Sequence, residues 1–232
     1  MDQTKMTDAQ IINKSLRSLI ASYGKSSNQS KEAEILIEEL YTVFALKDDF
    51  LKKLDMMDAV FDKFTTFKEL QEVTFDLLMV RYLSTDTEDL NEEYFESDEW
   101  NHIEDQTLDR GTELLNILIY IKEANDVEAE ITIDDFLEEF LLVEDENFSE
   151  EQEIYALLID NKEIIEMDVT EWIEVVKNAD DEDPLKEYLL PLFSLFSSDV
   201  TEEALNNSIP SDLKDRSLII AYNSLLTTFA SK

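Results

Sequence analysis

The stretch TFKELQEVTFDLLMVRY, residues 66–82, decides the fold class of this chain. Thr66 and Glu69 have the spacing of a capping box, which predicts the start of a helix. Apolar residues then cover two faces of that helix: Phe67, Leu70, Val73, Leu77 and Leu78 on one, and Phe75, Met79 and Tyr82 on the other. Because a helix that is apolar nearly all round tends to be central, we expect this one inside the core.

Similar helical signals recur along the chain. Thr7 with Gln10 and Asp168 with Glu171 form further capping-box patterns, and Gly24 is a predicted helix end. The chain has 2 glycines and 3 prolines, too few for the turns of a β-rich fold. Hydrophobic residues make up 44% of the 232 residues, enough for a sizeable core. The sequence therefore predicts an all-α fold, an irregular multi-helix bundle of about ten helices.

Short internal similarities support a second architecture. EAEILI at 32–37 resembles EAEITI at 128–133, and DDFLKKL at 48–54 resembles DDFLEEF at 134–140. The offsets within the two pairs disagree, so no regular repeat is established. Stacked helical hairpins, an α-solenoid-like arrangement, stay the alternative to the irregular bundle.

Negative charge is concentrated in the middle of the chain. The chain carries 56 Asp and Glu residues against 19 Lys and Arg residues, which gives a net charge of −37. Residues 82–185 contain 36 of these acidic residues and only four of the basic ones. Residues 84–109 contain eleven acidic residues and no basic one, which favours an exposed loop or a weak helix. We expect 84–109 to connect an N-terminal helical subdomain, 1–83, to a C-terminal one, 110–232, with the two packed as one domain.

The composition disfavours most catalytic chemistry. The chain has no cysteine, so thiolate nucleophiles and thiolate metal sites are excluded. His102 is the single histidine, and its acidic surroundings favour a charged, solvated side chain. Glycine-rich phosphate loops, EF-hand loops and paired Glu-x-x-His motifs are all absent from the sequence. We therefore predict a protein that is not an enzyme, with no cofactor and no specific metal site.

The charge also limits the partners. A strongly negative surface repels nucleic acid and anionic lipid, so we expect no direct nucleic-acid or membrane binding. The sequence has no apolar run of about 18 residues and no signal-peptide pattern, which predicts a cytoplasmic protein. A basic protein is the partner that such a charge attracts. The chain itself is expected to be a monomer or a weak dimer.

Residues 92–100, EEYFESDEW, are the strongest candidate for a binding surface. Aromatic rings among carboxylates can anchor a basic, apolar patch while the charges steer it. The same rings can instead pin a loop onto the helical core. A second acidic face is predicted on the helix whose buried stripe is Ile133, Phe136, Leu137, Phe140 and Leu141. The candidate partner-binding residues are Glu92, Glu93, Tyr94, Phe95, Glu96, Asp98, Glu99, Trp100, Asp134, Asp135, Glu138 and Glu139.

The leading hypothesis is a non-catalytic acidic interaction module that binds a basic protein partner through its acidic middle. An immunity protein that neutralises a toxin, a nucleic-acid mimic that occupies a basic cleft and a chaperone for a basic client all fit this hypothesis. The alternative is a helical-repeat scaffold or adaptor that binds partners through an apolar groove. Salt dependence separates the two, because charge-driven binding weakens steeply as salt rises.

Overall fold

The all-α fold class is confirmed. The computed structural model describes residues 6–86, 92–141, 153–197 and 199–231, and all regular structure in those ranges is helical. The chain divides into two compact units, with the boundary between Leu118 and Ile119. The predicted organisation into residues 1–83, 84–109 and 110–232 stays a prediction, because the two compact units have a single boundary between them.

The first unit is built from helices that pack against one another. Its α-helices are α1 (Asp8–Ser26), α2 (Ser30–Phe44), α3 (Phe50–Phe61), α4 (Gln71–Arg81), α5 (Glu92–Phe95), α6 (Asp98–Thr107) and α7 (Leu114–Asp126), the last of which crosses the unit boundary. Helix α1 packs against α2 and α4, and α3 packs against α2, α4 and α6. A 3₁₀ helix, Thr65–Leu70, leads into α4, and a π-helical turn, Tyr82–Asp86, follows it.

Helix α4 is buried in the core of the first unit, as its sequence predicts. Nine of its eleven residues are buried. Phe50 of α3 packs against this region, with its ring centroid 6.3 Å from that of Phe75 and 4.9 Å from that of Tyr82. Each large apolar side chain that is fully buried contributes about 1.5–3 kcal/mol to folding. The hydrophobic burial of α4 therefore holds α1 and α3 against it.

The predicted capping box at Thr66 is wrong. The chain enters α4 through the 3₁₀ helix Thr65–Leu70, which has no side-chain cap. A 3₁₀ helix places every third residue on the same side, and Phe64, Phe67 and Leu70 at that spacing are all buried. Packing of these three side chains therefore selects the tighter helix over a capped α-helix. The capping boxes at Thr7 and Asp168 are confirmed.

The predicted helix end at Gly24 is also wrong, because α1 continues through Gly24 to Ser26. A Cβ added at Gly24 would lie 2.5 Å from the Cβ of Ala33, so glycine at this position allows α1 and α2 to approach closely. The helix ends instead at Ser26, and Asn28, two residues further on, adopts the left-handed conformation with φ 62°. The Gln29 N–H then donates to the carbonyl of Gly24 at 2.6 Å, which closes the turn as in a Schellman motif.

A network of polar side chains ties the loop after α6 to α3 and α4. Arg110 donates two hydrogen bonds to Asp58, at 3.0 and 3.1 Å, and one to Glu72 at 2.9 Å. The fully buried Asp76 accepts a hydrogen bond from the Thr112 N–H at 3.0 Å and lies 2.6 Å from the Thr112 hydroxyl. Burial, which disfavours the charged form, raises the pKa of Asp76 to about 8. The loop is thus held by two ion pairs of Arg110, with Asp58 and with Glu72, and by the neutral contact between Asp76 and Thr112.

The second unit is also helical. Beyond α7, it contains the π-helix Asp135–Phe140, the 3₁₀ helices Lys162–Glu166 and Lys186–Tyr188, and α8 (Ala156–Asp160), α9 (Val169–Asn178), α10 (Leu189–Phe196), α11 (Glu202–Ser208) and α12 (Arg216–Ala230). Helix α12 contacts α10 and α11, and α9 contacts α10. Trp172 of α9 is fully buried, and its indole N–H donates to the carbonyl of Ile164 at 2.6 Å.

In neither unit is any helix, over the ranges described, long and apolar enough to cross a membrane.

The close approach at Gly24 leads to a stability prediction. Gly24→Ala improves helix propensity by about 1 kcal/mol, yet the added methyl group would overlap Ala33. We expect a net loss of about 1–3 kcal/mol in the free energy of unfolding, measured by urea denaturation followed by circular dichroism. The double substitution Gly24→Ala with Ala33→Gly should recover part of that loss. A single variant as stable as the wild type would contradict the close packing.

The raised pKa of Asp76 leads to a prediction about pH. The ordinary pKa of 3.8 applies in the unfolded chain, whereas the folded carboxyl stays protonated up to a pH of about 8. Since the folded state then binds the extra proton, stability falls as pH rises between these values, by up to about 1.4 kcal/mol per pH unit. Asp76→Asn keeps both contacts to Thr112 without the titration. We expect the unfolding free energy of the wild type to decline more steeply between pH 5 and 7.5 than that of the variant; parallel curves would contradict this assignment.

Candidate functional site

The predicted binding residues of segment 92–100 lie on α5, on the first turn of α6 and, for Glu96, in the turn between them. Ser97 caps α6 by accepting a hydrogen bond from the Trp100 N–H at 3.1 Å. The cap places Asp98 and Glu99 in the first turn, where negative charge stabilises the helix dipole. The backbones of Glu92 and Glu93 belong to α5, and their side chains lie outside the described part of the structure.

Three aromatic rings form one cluster on this surface. The rings of Phe95 and Trp100 meet edge to face, with centroids 5.0 Å apart and an interplanar angle of 86°. The Tyr94 ring lies 5.7 Å from Phe95 and 6.0 Å from Trp100. Edge-to-face pairs at these distances are a favoured aromatic geometry. Although it is packed on two rings, the Phe95 side chain stays 43% exposed, which is high for an aromatic residue.

Tyr82 joins this cluster to the core of the first unit. The Tyr82 and Tyr94 hydroxyls are hydrogen-bonded to each other, and the Tyr82 hydroxyl also donates to Oε1 of Glu99 at 3.4 Å. Burial of Tyr82, together with its contacts to Tyr94 and Glu99, raises the pKa of its phenol. Tyr94 therefore pins α5 inward, while Phe95 remains exposed to solvent.

Carboxylates border the rings. The side chains of Glu96, Asp98 and Glu99 are exposed. Among the ion pairs formed within the described ranges, none involves these three residues. We call Tyr94, Phe95, Glu96, Asp98, Glu99 and Trp100 the α5–α6 surface. It combines an exposed ring with carboxylates that form no ion pair within the described ranges.

The second predicted acidic face lies in the second unit. The side chains of Asp134, Asp135, Glu138 and Glu139 are all exposed, as expected. Lys162 forms an ion pair with Asp134 at 3.5 Å. These carboxylates lie at the start of, and along, the π-helix Asp135–Phe140.

The buried stripe predicted on this helix is wrong in part. Phe136 and Leu137 are buried, but Ile133, Phe140 and Leu141 are half-buried. The Leu141 N–H donates to the carbonyl of Phe136 at 3.0 Å, five residues back. A π-helix does not keep the 3–4 residue spacing of an α-helix, so a stripe read with α-helical spacing drifts away from the core.

Sequence reasoning missed the role of Tyr82 at the α5–α6 surface. Tyr82 lies 12 residues from Tyr94 and 17 from Glu99 along the chain. Its apolar neighbours assign it to the core, and no local pattern marks a hydroxyl that reaches α5. Only the tertiary contact shows it.

The remaining chemistry of the described ranges is sparse. His102 is exposed, as its acidic surroundings predict. Within those ranges, no three His, Asp or Glu side chains are grouped so as to hold a metal ion.

No family model matches the chain, and no curated protein and no solved structure is detectably similar to it.

The acidic border of the rings leads to a spectroscopic prediction. Trp172 is fully buried and Trp100 is half-buried, so a collisional quencher dissolved in water quenches mainly the fluorescence of Trp100. We expect quenching by caesium ion, taken relative to its quenching of free tryptophan, to exceed quenching by iodide taken in the same way, because the carboxylates attract cations and repel anions. Neutralising Glu96, Asp98 and Glu99 to Gln, Asn and Gln should reduce this difference.

The matched control neutralises three exposed carboxylates elsewhere, Glu38, Asp55 and Glu203, to Gln, Asn and Gln. It tests whether the net charge alone produces the asymmetry. Equal changes in the two variants would contradict a local negative field at Trp100.

Proposed function

We propose that this protein is a non-catalytic interaction module that binds a basic protein partner through the α5–α6 surface. The single observation that supports this function is Phe95, which is 43% exposed, held edge to face against Trp100 and bordered by exposed carboxylates. An exposed aromatic anchor with a charged rim is a common composition for the centre of a protein interface.

The chemistry of this surface selects a cationic partner. An arginine or lysine side chain can lie over an aromatic ring and pair with a carboxylate at the same time. A cation over a ring contributes about 0.5–1 kcal/mol when exposed and about 2 kcal/mol when desolvated. A purely apolar partner would instead remove water from Glu96, Asp98 and Glu99 without offering them a positive charge or a hydrogen bond. Desolvation of these carboxylates would then cost binding free energy.

The anchoring of α5 and α6 supports the proposal through preorganisation. Ser97 fixes the start of α6, and the contact between Tyr94 and Tyr82 fixes α5. Because these contacts already order the rings, less conformational entropy is lost when a partner binds. The net charge of −37 would in addition speed the encounter with a basic protein at low salt.

An immunity protein, a nucleic-acid mimic and a chaperone for a basic client would all use a surface of this kind. A competition experiment distinguishes a nucleic-acid mimic, because added DNA or RNA would displace the mimic from its partner.

The proposal is tested by capturing partners from a lysate of the source cells at low and at high salt. The baits are the wild type, the neutralised Glu96, Asp98 and Glu99 variant, Phe95→Ser, and the Glu38, Asp55 and Glu203 control. We expect the wild type and the control to retain a basic protein at low salt and to release it at high salt. Both α5–α6 variants should lose most of that protein, since one removes the charge and the other the anchor.

Circular dichroism of each bait checks that the helices are intact. Partners that survive high salt and bind both α5–α6 variants as well as the wild type would contradict the proposal. That outcome would favour the adaptor that binds through an apolar groove.

A further inference from the structure

The second unit contains an open groove of about 560 Å³ between the end of α7 and the π-helix Asp135–Phe140. Its floor is apolar and is formed by Tyr120, Ala124 and Phe140. The ring centroids of Tyr120 and Phe140 are 5.8 Å apart. Grooves of this volume fall within the range of pockets that hold organic ligands or a few side chains of a partner.

One face of α7 lines the groove with helical spacing. Tyr120, Glu123 and Ala124 follow each other at i, i+3 and i+4, which places them on the same face of α7, and Val127 lines the groove from the turn that follows the helix. Val127 stands at the lip with 76% of its side chain exposed, more than any other large hydrophobic residue in the described part of the chain. The apolar floor therefore continues outward to a residue that a bound segment could cover.

The rim of the groove is acidic. Glu123, Glu130, Asp135 and Glu139 line it, and all four side chains are exposed. None of these four carboxylates takes part in an ion pair with any lysine or arginine of the described ranges. Two of them, Asp135 and Glu139, belong to the acidic face predicted from the sequence.

The groove is shaped by contacts within its own hairpin. The Tyr120 hydroxyl donates to the Thr132 carbonyl and accepts from the Thr132 N–H, each at 2.9 Å. The Ala129 N–H donates to the Ala124 carbonyl at 2.8 Å, and Glu128 adopts the left-handed conformation with φ 57°. These contacts fix the loop against α7, so the groove exists before any ligand binds.

We propose that this groove docks a basic peptide segment of a partner protein. An apolar side chain of the segment lies on the floor between Tyr120 and Phe140, and flanking lysines or arginines meet the rim carboxylates. This inference rests on the proposed function in one respect, namely that the partner is basic. It adds a separate docking surface and the chemistry of the segment that fits there.

Charge complementarity selects this occupant. An acidic segment, including the acidic middle of a second copy of this chain, would face four carboxylates of the same sign. A neutral apolar ligand would fill the floor but would remove water from the rim without compensation. A segment with both an apolar anchor and positive charge satisfies the floor and the rim together, as in other groove-binding peptides.

The test uses fluorescein-labelled synthetic peptides and fluorescence anisotropy with the full-length protein. The first peptide carries two leucines at i and i+4 flanked by lysines and arginines. In the second peptide the leucines are serines, and in the third the basic residues are glutamates. We expect measurable binding by the first peptide alone, weakening as the NaCl concentration rises from about 50 to about 300 mM.

The protein variants locate the binding site. Asp135→Asn with Glu139→Gln should weaken binding of the first peptide about tenfold. The matched control, Asp160→Asn with Glu163→Gln, removes the same number of charges from exposed carboxylates of the second unit that lie outside the groove and form no ion pair within the described ranges, and it should leave the affinity within about twofold. Val127→Ser tests the apolar lip of the groove. Because Val127 is 76% exposed, this change should weaken binding of the first peptide without altering the stability of the fold.

Each other outcome overturns the inference. Equal losses in the two double variants would indicate a diffuse charge effect, and equal binding of the serine peptide would show that the floor plays no part. Binding of the glutamate peptide would indicate a purely apolar ligand. Self-association in sedimentation that Val127→Ser abolishes would assign the groove to a second copy of this chain.

The two proposals fail separately. If a captured partner binds the groove variants as well as the wild type but does not bind the α5–α6 variants, the proposed function stands and the groove proposal is overturned. If the peptide binds in the groove but no basic partner with salt-sensitive binding is captured, the groove proposal stands and the proposed function is overturned.

Discussion

The fixed position of Arg110 is the constraint on which the acidic part of the first unit depends. Residues 82–185 contain four basic residues against 36 acidic ones, and Arg110 is the first of them. It binds Asp58 of α3 with two hydrogen bonds and Glu72 of α4 with one, and its guanidinium lies 5.2 Å from the centre of the Phe75 ring. Arginine suits this position because its planar fork pairs with a carboxylate at two points and also stacks on a ring. The acidic segment is thereby joined to the helices of the nearly neutral N-terminal part.

The position of the acidic residues on the helices explains how so much negative charge is compatible with folding. Like charges on neighbouring turns of a helix destabilise it by a few tenths of a kcal/mol per pair, about 0.2–0.5. Several carboxylates lie instead in first turns or at caps, where they favour the helix dipole and bond free N–H groups. Asp98 and Glu99 begin α6, and Asp168 caps α9. The hydrogen bonds that Asp168 accepts from the backbone of Thr170 and Glu171 lower the pKa of its carboxyl. Part of the acidic excess thus supports the helices that carry it.

Local signals predicted the fold where the deciding interaction is itself local. The capping boxes at Thr7 and Asp168 each close within three residues, and the structure forms both. Gly24 and Thr66 were misassigned because the deciding contacts come from elsewhere. Gly24 is set by the close approach of Ala33 on another helix, and the 3₁₀ entry to α4 is set by the burial of Phe64 and Phe67 in the core.

The candidate surfaces show the same division. The sequence predicts segment 92–100 as a candidate because its rings and acids are neighbours along the chain, and it predicts Asp135 and Glu139 through their spacing opposite the buried stripe. It could not predict that Tyr120 and Phe140 meet, because that contact depends on a hairpin whose second helix is a π-helix. Nor could it predict that Tyr82 reaches Tyr94 across the acidic stretch.

Both surfaces pair an exposed apolar side chain with carboxylates, and this pairing has a physical consequence for specificity. An exposed Phe95 or Val127 alone would attract any apolar surface, including that of another copy of the chain. The surrounding negative charge makes each copy repel the next, because two molecules of charge −37 approach with like potentials. The same charge lowers the free energy of approach for a basic surface. In the binding that we propose, the carboxylates select a basic partner, and the rings and aliphatic side chains supply contact energy once that partner is in place.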